Sequence, residues 1–435
     1  MKPAAWREPV GRFVGANGMV LVLALLCAAF ALATWREEAP TGPAAVQALA
    51  TRAAQTARPG EALVVVAGTV PDEAAFAQAV ALQLASLGRA PLATVAGDPP
   101  TVRARLEALA AGPRRPTLAA VARSCATWPI FGALGLRVVA PATVRRSQFL
   151  APSNLRNVAD QIAVIAILAV GMTAVILTGG IDLSVGSLVA LAAVLTAWLV
   201  RAAGGPQASA WALAGCALAA VLGCGLVGLF SGVMITACRV PPFIATLAVM
   251  QVASGLAFLL TRGQTLYDLP DACTWLGRGS CLGLPNAVVL MLALYAAAHL
   301  VMTRTVAGRA VYAVGGNPEA ARLSGLRTAR TLLGVYVVSG LTAGLGGVIT
   351  TSQLKAGAPT YGVMYELYVI AAVVVGGTSL AGGEGRMLGT LVGAFIIAVI
   401  RNGMNLTDVQ PYTQKVVLGL VILGAVLLDK IRRRA

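Results

Sequence analysis

The chain has 435 residues, of which 58% are hydrophobic and only 11% are charged, and its mean hydropathy is +0.80. A soluble globular protein is nearer one quarter charged, so the composition excludes an ordinary soluble enzyme or binding module. The formal net charge of +16 does not indicate a nucleic-acid partner, because the basic residues cluster between apolar stretches, as the positive-inside rule describes. We therefore predict an all-α polytopic membrane protein.

Ten apolar stretches predict about ten transmembrane helices, since about 20 residues cross the hydrocarbon core of a bilayer. If the first span begins on the cytoplasmic side, fourteen basic residues lie in the cytoplasmic termini and short loops, and six lie in short loops and span ends on the other side. This asymmetry predicts that both termini are cytoplasmic. The predicted spans lie at 13–34, 158–178, 185–203, 209–237, 243–262, 284–303, 331–352, 365–380, 387–402 and 414–429.

Residues 36–148 have the texture of a small soluble domain inserted after the first span. "ALVVVAG" (62–68) predicts a buried strand, and "PDEAAFAQAVALQLASLG" (71–88) predicts an amphipathic helix with acidic residues in its first turn. The strand and helix rhythm continues, which predicts a small α/β unit with a parallel sheet. The topology places residues 36–157 outside the cytoplasm.

"TGGIDLSVGS" (178–187) places an aspartate between two apolar spans. A charged side chain at the bilayer centre costs at least about 2.5–3.5 kcal/mol, so Asp182 needs a partner or a task. Gly180 weakens the preceding helix, and Asp182 is placed to cap the next helix by accepting from the N–H of Ser184 or Val185. A role of this segment in the gate or pathway, and an interhelical partner such as an arginine, are the alternatives.

Three further polar residues lie at the ends of predicted spans. Glu366 opens the eighth span, where it either favours the helix dipole or faces the pathway. Asn402 and Asn405 in "RNGMNL" either finish a helix or line the pathway. A second glycine-rich segment, "VVGGTSLAGGEG" (374–385), resembles "ILTGGIDLSVGS" (176–187). The likeness indicates either an internal repeat with broken helices or two similar helix ends.

The loop 304–330 is predicted to be cytoplasmic and to contain one short helix. Asn317 is placed to cap that helix, with proline at its first position, Glu319 in its first turn and Gly325 closing it. Such a helix is either a solvated connector or a docking element. No lysine follows a glycine anywhere in the chain, so the phosphate-binding motif of an ATPase is absent.

"GMTAVILTGGIDLSVGS", "GGNPEAARLSG" and "YELYVIAAVVVGGTSLAGGEGRMLGTLVGA" resemble the membrane permease of ribose-type (simple-sugar) ABC importers, over residues 149–435. The resemblance implies a homodimeric permease in a bacterial inner membrane, coupled to a cytoplasmic ABC ATPase subunit and supplied by a periplasmic solute-binding protein. It also implies that the short helix is the coupling helix. The residues carried over as ATPase contacts are Asn317, Glu319, Ala320, Arg322, Ser324 and Gly325; the residues predicted for the pathway or gate are Gly180, Asp182, Ser184, Glu366, Asn402 and Asn405.

The chain departs from the family pattern in three places. About 110 residues separate the first span from "FLAPSNLRN". This insertion lies on the side where the solute-binding protein is expected to dock, so it affects that docking. Tyr368 stands where many members have aspartate, which bears on the substrate, and Glu384 also differs. The inserted domain is either an accessory docking or gating module or a tolerated insertion.

Other functional classes remain as alternatives. An ion-coupled secondary transporter would need more carboxylates or histidines within the membrane than Asp182 and Glu366. A receptor would not need ten glycine-rich spans. An ABC permease for a branched-chain amino acid or a nucleoside also fits. We expect no catalytic residues, metal site or cofactor in this chain, since His299 is its only histidine; a disulfide between Cys273 and Cys281 is left open.

Overall fold

The computed structural model describes residues 7–38, 41–281 and 283–432. Three basic residues that count toward the charge asymmetry, Lys2, Arg433 and Arg434, lie outside this part of the chain. The chain forms two compact units. Residues 1–34 and 148–435 make one unit, and residues 35–147 make the other.

Helix α1 (Arg7–Ala33) precedes the smaller unit. The elements of residues 35–147 are, in chain order, β1 (Trp35–Glu38), α2 (Pro43–Thr56), β2 (Ala62–Ala67), α3 (Pro71–Ser86), β3 (Ala93–Ala96), α4 (Pro99–Ala110), β4 (Pro116–Val121), α5 (Pro129–Ala133), β5 (Arg137–Val139) and β6 (Val144–Ser147).

A four-stranded parallel sheet in the order β3-β2-β4-β5 forms the centre of the smaller unit. Strand β2 is an apolar run in which five of the six residues are buried, as expected of a parallel strand that is covered on both faces. Helix α4 begins at an aspartate cap, where Asp98 accepts from the N–H of Thr101. Strands β1 and β6 pair antiparallel, and this pairing brings the two ends of the unit together.

The larger unit continues as a helical bundle. Its elements after residue 148 are α6 (Pro152–Leu177), α7 (Val185–Ala202), α8 (Ala210–Thr236), α9 (Pro242–Thr261), α10 (Trp275–Arg278), β7 (Ser280–Cys281), β8 (Leu284–Pro285), α11 (Asn286–Arg304), α12 (Val306–Gly316), α13 (Pro318–Leu323), α14 (Thr328–Leu354), α15 (Tyr365–Val375), α16 (Met387–Leu406) and α17 (Pro411–Arg432).

Within the described residues, seven helices are long and apolar enough to cross a membrane: α6, α7, α8, α9, α11, α14 and α16. Three shorter apolar stretches fall below that length: Gly18–Ala33 within α1, Tyr365–Val375, which is α15, and Pro411–Leu427 within α17. The chain is therefore a polytopic helical membrane protein. The expected span over 365–380 is too long, because Gly376 and Gly377 end α15 and Gly377 adopts a φ of +83°.

Helices α6 and α14 form the centre of the bundle. Every residue of α6 from 162 to 177 is buried, and α14 packs against α6, α7 and α8. Glycines allow the closest approach between α8 and α14. A Cβ on Gly340 would lie 2.3 Å from the carbonyl oxygen of Cys224, and one on Gly228 would lie 2.2 Å from that of Tyr336. Small residues at such contacts let the backbones of membrane helices touch.

Candidate functional site

Three segments of the bundle meet around Gly315, near the end of α12. The N–H of Gly383 donates to the carbonyl of Leu177 at 2.8 Å, which joins the loop after α15 to the end of α6. The hydroxyl of Tyr312 donates to the carbonyl of Gly385 at 2.9 Å, which joins α12 to the same loop. A Cβ on Gly315 would lie 1.7 Å from the carbonyl oxygen of Leu177. No residue larger than glycine fits at position 315 without moving a backbone.

We name the meeting point of Leu177, Gly179, Gly315, Gly382 and Gly383 the glycine junction. Gly179, Gly382 and Gly383 all have positive φ, a region that glycine enters at little cost. A Cβ on Gly382 would lie 2.8 Å from the carbonyl oxygen of Gly315 and 3.0 Å from the nitrogen of Gly179. The junction thus joins both glycine-rich segments, 176–187 and 374–385, to the loop that carries the short helix.

Asp182 lies next to the junction and is only 1% exposed. Its Oδ1 accepts from the backbone N–H of Ser184 at 2.9 Å and from the Ser184 hydroxyl at 2.6 Å. Its Oδ2 accepts from the hydroxyl of Ser339 on α14 at 2.6 Å. Among the described residues, the interhelical partner of Asp182 is therefore a serine and not an arginine.

The expected hydrogen bond from the N–H of Ser184 to Asp182 is confirmed. The expected cap is wrong by two residues, because Ser184 and not Asp182 holds the cap position of α7, which begins at Val185 as the predicted span does. Ser184 already adopts helical backbone angles, so Asp182 closes a short turn before the helix instead of capping it.

A buried tyrosine completes the surroundings of Asp182. The hydroxyl of Tyr336 has no hydrogen-bond partner among the described residues. A Cβ on Gly180 would lie 2.5 Å from that hydroxyl oxygen, so Gly180 makes room for the ring. Sequence reasoning missed both Tyr336 and Ser339. The available signal was a row of polar side chains at Tyr336, Ser339 and Thr342, whose spacing of three residues places them on one helix face.

Glu366 lies in the first turn of α15, against α7. A Cβ on Gly186 would lie 2.3 Å from Oε2 of Glu366, so the carboxylate packs on the α7 backbone one turn beyond Asp182. Asn402 and Asn154 exchange two amide hydrogen bonds, at 2.9 and 3.0 Å. This exchange holds α16 to the start of α6.

Asn405 is exposed and accepts from the Nε2 of Gln414 on α17 at 2.8 Å. Asp182 and Ser184 are thus brought together, with Gly180 and Glu366 near them, while Asn402 and Asn405 lie at another end of the bundle. Pathway roles for all six residues stay predictions.

The short helix α13 has the predicted cap. Oδ1 of Asn317 accepts from the N–H of Glu319 at 3.1 Å and from that of Ala320 at 3.0 Å, which confirms the expected N-terminus. Gly325 has a φ of +86°, and the Leu326 N–H returns to the carbonyl of Ala321. This is a Schellman-type closure.

The surface of α13 is charged with one apolar projection. Glu319 and Arg322 form an ion pair at 2.6 Å, with both side chains exposed. The Arg322 guanidinium beside Glu319 lowers the pKa of that carboxyl. Leu323 is 76% exposed, so its side chain is free to contact a partner. Sequence reasoning did not single out Leu323, although it lies between two of the predicted contacts, Arg322 and Ser324. The second helix of this loop, α12, was also missed.

A polar cavity of about 440 Å³ lies at the opposite end of α14 from α13. We name it the distal cavity; its side chains include Arg156, Asn157, Asp160, Gln161, Arg278 and Gln353. The 27 residues of α14 span about 40 Å at 1.5 Å per residue. The cavity and α13 are therefore about one membrane thickness apart.

Near the cavity, Cys273 and Cys281 are free thiols, so the structure contains no disulfide between them.

Comparison with known proteins identifies the family of the chain. Residues 154–426 match the family model described as "Branched-chain amino acid transport system / permease component". The chain is 41% identical over 307 residues to the ribose import permease protein of Bacillus subtilis, which covers 69% of this chain and 92% of that protein. It is 43% identical over 298 residues to the ribose import permease protein of Escherichia coli K12, covering 68% and 91%.

A third relative is the L-arabinose ABC transporter permease protein of Azospirillum brasilense, 37% identical over 285 residues, covering 66% of this chain and 82% of that protein. No solved structure matches the chain. The family model covers more than half of the chain, and the ribose import permeases are covered over nine tenths of their length. The chain therefore belongs to the family of membrane permease components of ABC transport systems.

Proposed function

We propose that this chain forms the translocation pathway of an ABC importer for a simple sugar, and that a separate cytoplasmic ATPase drives it. The observation that carries the proposal is the glycine junction. Through it, the exposed helix α13 is tied by backbone contacts to both segments that interrupt the spans. A force applied at α13 therefore reaches two helix breaks at once.

A second connection runs through α14. Only four residues, 324–327, separate α13 from α14. Ser339 lies eleven residues into that helix, about 17 Å along its axis, and donates to Asp182. Asp182 lies in the turn between α6 and α7, so displacement of α13 along α14 changes a contact of a buried carboxylate. We infer that this contact distinguishes the inward-facing from the outward-facing state.

Helix α13 is the proposed docking element for the ATPase. Asn317 fixes its start, and Glu319, Arg322 and Leu323 project from it into solvent. Leu323 supplies the apolar anchor and the charged pair fixes the orientation, an arrangement typical of small interface patches. Ala320, Ser324 and Gly325 complete the proposed contact.

A matched pair of variants tests this docking. Leu323→Ser and Leu82→Ser remove exposed helical leucines of nearly equal exposure, 76% and 74%, from the two different units. We expect Leu323→Ser to abolish co-purification of the ATPase subunit and Leu82→Ser to leave it unchanged. Equal retention of the ATPase by the two variants would contradict docking at α13.

The topology that goes with this function has ten spans, the seven long helices and the three shorter ones, with both termini cytoplasmic. The glycine junction then lies near the cytoplasmic face, and residues 36–157 and the distal cavity lie outside. The protein is proposed to act as a homodimer in a bacterial inner membrane, supplied by a solute-binding protein. The exposed apolar faces of α8 and α9 support contact with lipid or with the second copy.

Ribose-like sugars are the proposed solutes, because the ribose import permeases match the chain over nine tenths of their length. The description of the family model names branched-chain amino acids, which makes leucine the informative competitor. Uptake of labelled ribose, arabinose and leucine by vesicles that contain the permease, its ATPase and its binding protein tests the solute class. Leucine uptake without sugar uptake would overturn it.

The inserted unit is proposed to be an accessory docking or gating module for the solute-binding protein. Its ends meet in the β1–β6 pair, so a short linker can replace the unit between them. We expect deletion of residues 40–145 to weaken receptor binding while leaving the ATPase bound. Unchanged receptor affinity and uptake would identify the unit as a tolerated insertion.

A further inference from the structure

Hydrogen bonds fix the walls of the distal cavity. Nη2 of Arg156 donates to the carbonyl of Gly283 at 2.8 Å, and Nε of Arg278 donates to the carbonyl of Gln353 at 2.6 Å. The N–H of Gly277 donates to the hydroxyl of Ser352 at 2.6 Å. These bonds hold the loop between α9 and α11 against the start of α6 and the end of α14. The cavity is therefore a feature of the folded bundle and not a gap between mobile side chains.

One acceptor in the cavity is left without a partner. Oδ1 of Asp160 is buried and makes no hydrogen bond to any described residue. The amide of Gln353 lies 3.5 Å from the backbone carbonyl of Asp160 and also interacts with the carboxyl group, without a hydrogen bond to Oδ1. A buried acceptor without a donor costs about 1–3 kcal/mol, so a ligand that donates to Oδ1 recovers that cost when it binds.

The remaining groups define the ligand. Arg156 and Arg278 each use one N–H in the bonds above, and each guanidinium has five, so donors remain for ligand oxygens. The lining carries two positive charges and one negative charge. A carboxylate ligand would face Asp160, and a cation would face both arginines. A neutral molecule whose groups both donate and accept, namely a polyol, satisfies all three residues.

The volume and the apolar content of the cavity agree with this choice. Its 440 Å³ lies within the range of about 300–1,000 Å³ typical of small-molecule sites. Among the described residues that line it, Pro285 is the only apolar side chain larger than a methyl group. Apart from the Pro285 ring, the lining therefore offers the branched side chain of leucine no aliphatic or aromatic residue to pack against.

We propose that the distal cavity is a binding subsite for a neutral polyhydroxylated solute, with Asp160 as the hydrogen-bond acceptor that selects it. This inference rests on the proposed function: the subsite is where the sugar first contacts the permease after leaving the solute-binding protein. It lies at the far end of α14 from α13, about 40 Å away. The solute therefore meets the permease on the side opposite the ATPase.

Direct binding of D-ribose to the purified full chain in nanodiscs, followed by saturation-transfer NMR, tests this subsite without transport. We expect Asp160→Ala to raise the Kd for ribose by about tenfold or more, the loss of one well-made hydrogen bond to a charged group. Gln161→Ala, at an exposed rim position, should raise it by a smaller factor. Asp271→Asn is the matched control, because Asp271 is an exposed carboxylate that pairs with Lys355 outside the cavity.

The outcomes separate the subsite from the function. If no ribose binds the wild-type chain, or if leucine displaces ribose, or if Asp160→Ala and Gln161→Ala bind ribose as tightly as Asp271→Asn does, the subsite is overturned. ATP-driven ribose uptake that persists in that case leaves the proposed function standing. Ribose binding that depends on Asp160, together with failed ATP-driven uptake, overturns the function and supports the subsite.

Discussion

The two glycine-rich segments are alike in sequence and differ in how they are fixed. Segment 176–187 passes from α6 to α7 through seven residues and buries Asp182, while segment 374–385 passes from α15 to α16 through a longer loop and exposes Glu384. Both reach the glycine junction, and in segment 176–187 the carboxylate of Asp182 also accepts from Ser339 on α14. The shared pattern thus corresponds to a shared contact, while the two acids differ in burial.

The largest effect should come from the junction that the two segments share. Gly315→Ala places a Cβ 1.7 Å from the carbonyl oxygen of Leu177, whereas a Cβ on the adjacent Gly316 meets nothing within 4 Å. Overpacking of this kind costs about 1–3 kcal/mol or more. We expect Gly315→Ala to reduce ATP-driven uptake by about tenfold or more and to lower the melting temperature.

Gly316→Ala is the control for Gly315→Ala, since the two glycines are neighbours in one helix. It should retain wild-type uptake and stability. If both variants behave alike in uptake and in melting, the close approach at Gly315 does not matter for coupling.

The next effect concerns the buried acid of segment 176–187. Asp182→Ala leaves two donors of Ser184 and the hydroxyl of Ser339 without their charged acceptor. Hydrogen bonds to charged groups contribute about 1.5–3 kcal/mol each, so the free energy of unfolding should fall by at least about 2 kcal/mol. Asp182→Asn keeps an acceptor for Ser184 and should lose less. Equal losses from Asp182→Ala and Asp182→Asn in chemical unfolding would show that these hydrogen bonds do not hold the segment.

A smaller effect tests the α14 side of the contact. Ser339→Ala removes the donor to Asp182 and should cost about 1–3 kcal/mol. Tyr336→Phe removes a hydroxyl that has no partner among the described residues, so it should be neutral or stabilising. Thermal unfolding of the two variants, one helical turn apart, measures the difference. Destabilisation by Tyr336→Phe and none by Ser339→Ala would show that Asp182 is held by another group.

The smallest effect concerns the ion pair on α13. Arg322 holds the pKa of Glu319 below its usual 4.5, so the folded state binds this proton less readily than the unfolded state. The stabilisation is therefore present above the unfolded pKa and is lost as the pH falls through the folded pKa. Glu319→Gln should show slightly lower stability than wild type at pH 7, and the difference should shrink as the pH falls through the folded pKa of Glu319. A difference that does not shrink as the pH falls would assign the effect to something other than this charge.

Much of the bundle is predictable from sequence because its spans are long and apolar. The expected spans 185–203 and 209–237 differ from α7 and α8 by about one residue at each end. The capped start at Asn317 is predictable too, since its determinants are local in sequence. The failures are the end of α15, where a glycine pair stopped an apolar run, and the turn before α7, where the backbone of Ser184 was already helical.

The contacts that assemble the site could not be predicted in the same way. Ser339 is 157 residues from Asp182, and Gly315 is 138 residues from Leu177. Nothing local to either position indicates its partner. The distal cavity likewise combines the start of α6, a loop before α11 and the last turn of α14, so its polar residues looked like ordinary helix ends in the sequence.

The most direct test is solute accumulation by sealed vesicles that contain this chain, with and without the ATPase subunit. Accumulation should require both that subunit and ATP on the cytoplasmic side, and an ion gradient alone should give none. Accumulation by the chain alone under an ion gradient, or ATP hydrolysis by the purified chain, would contradict a permease that draws its energy from a partner docked at α13.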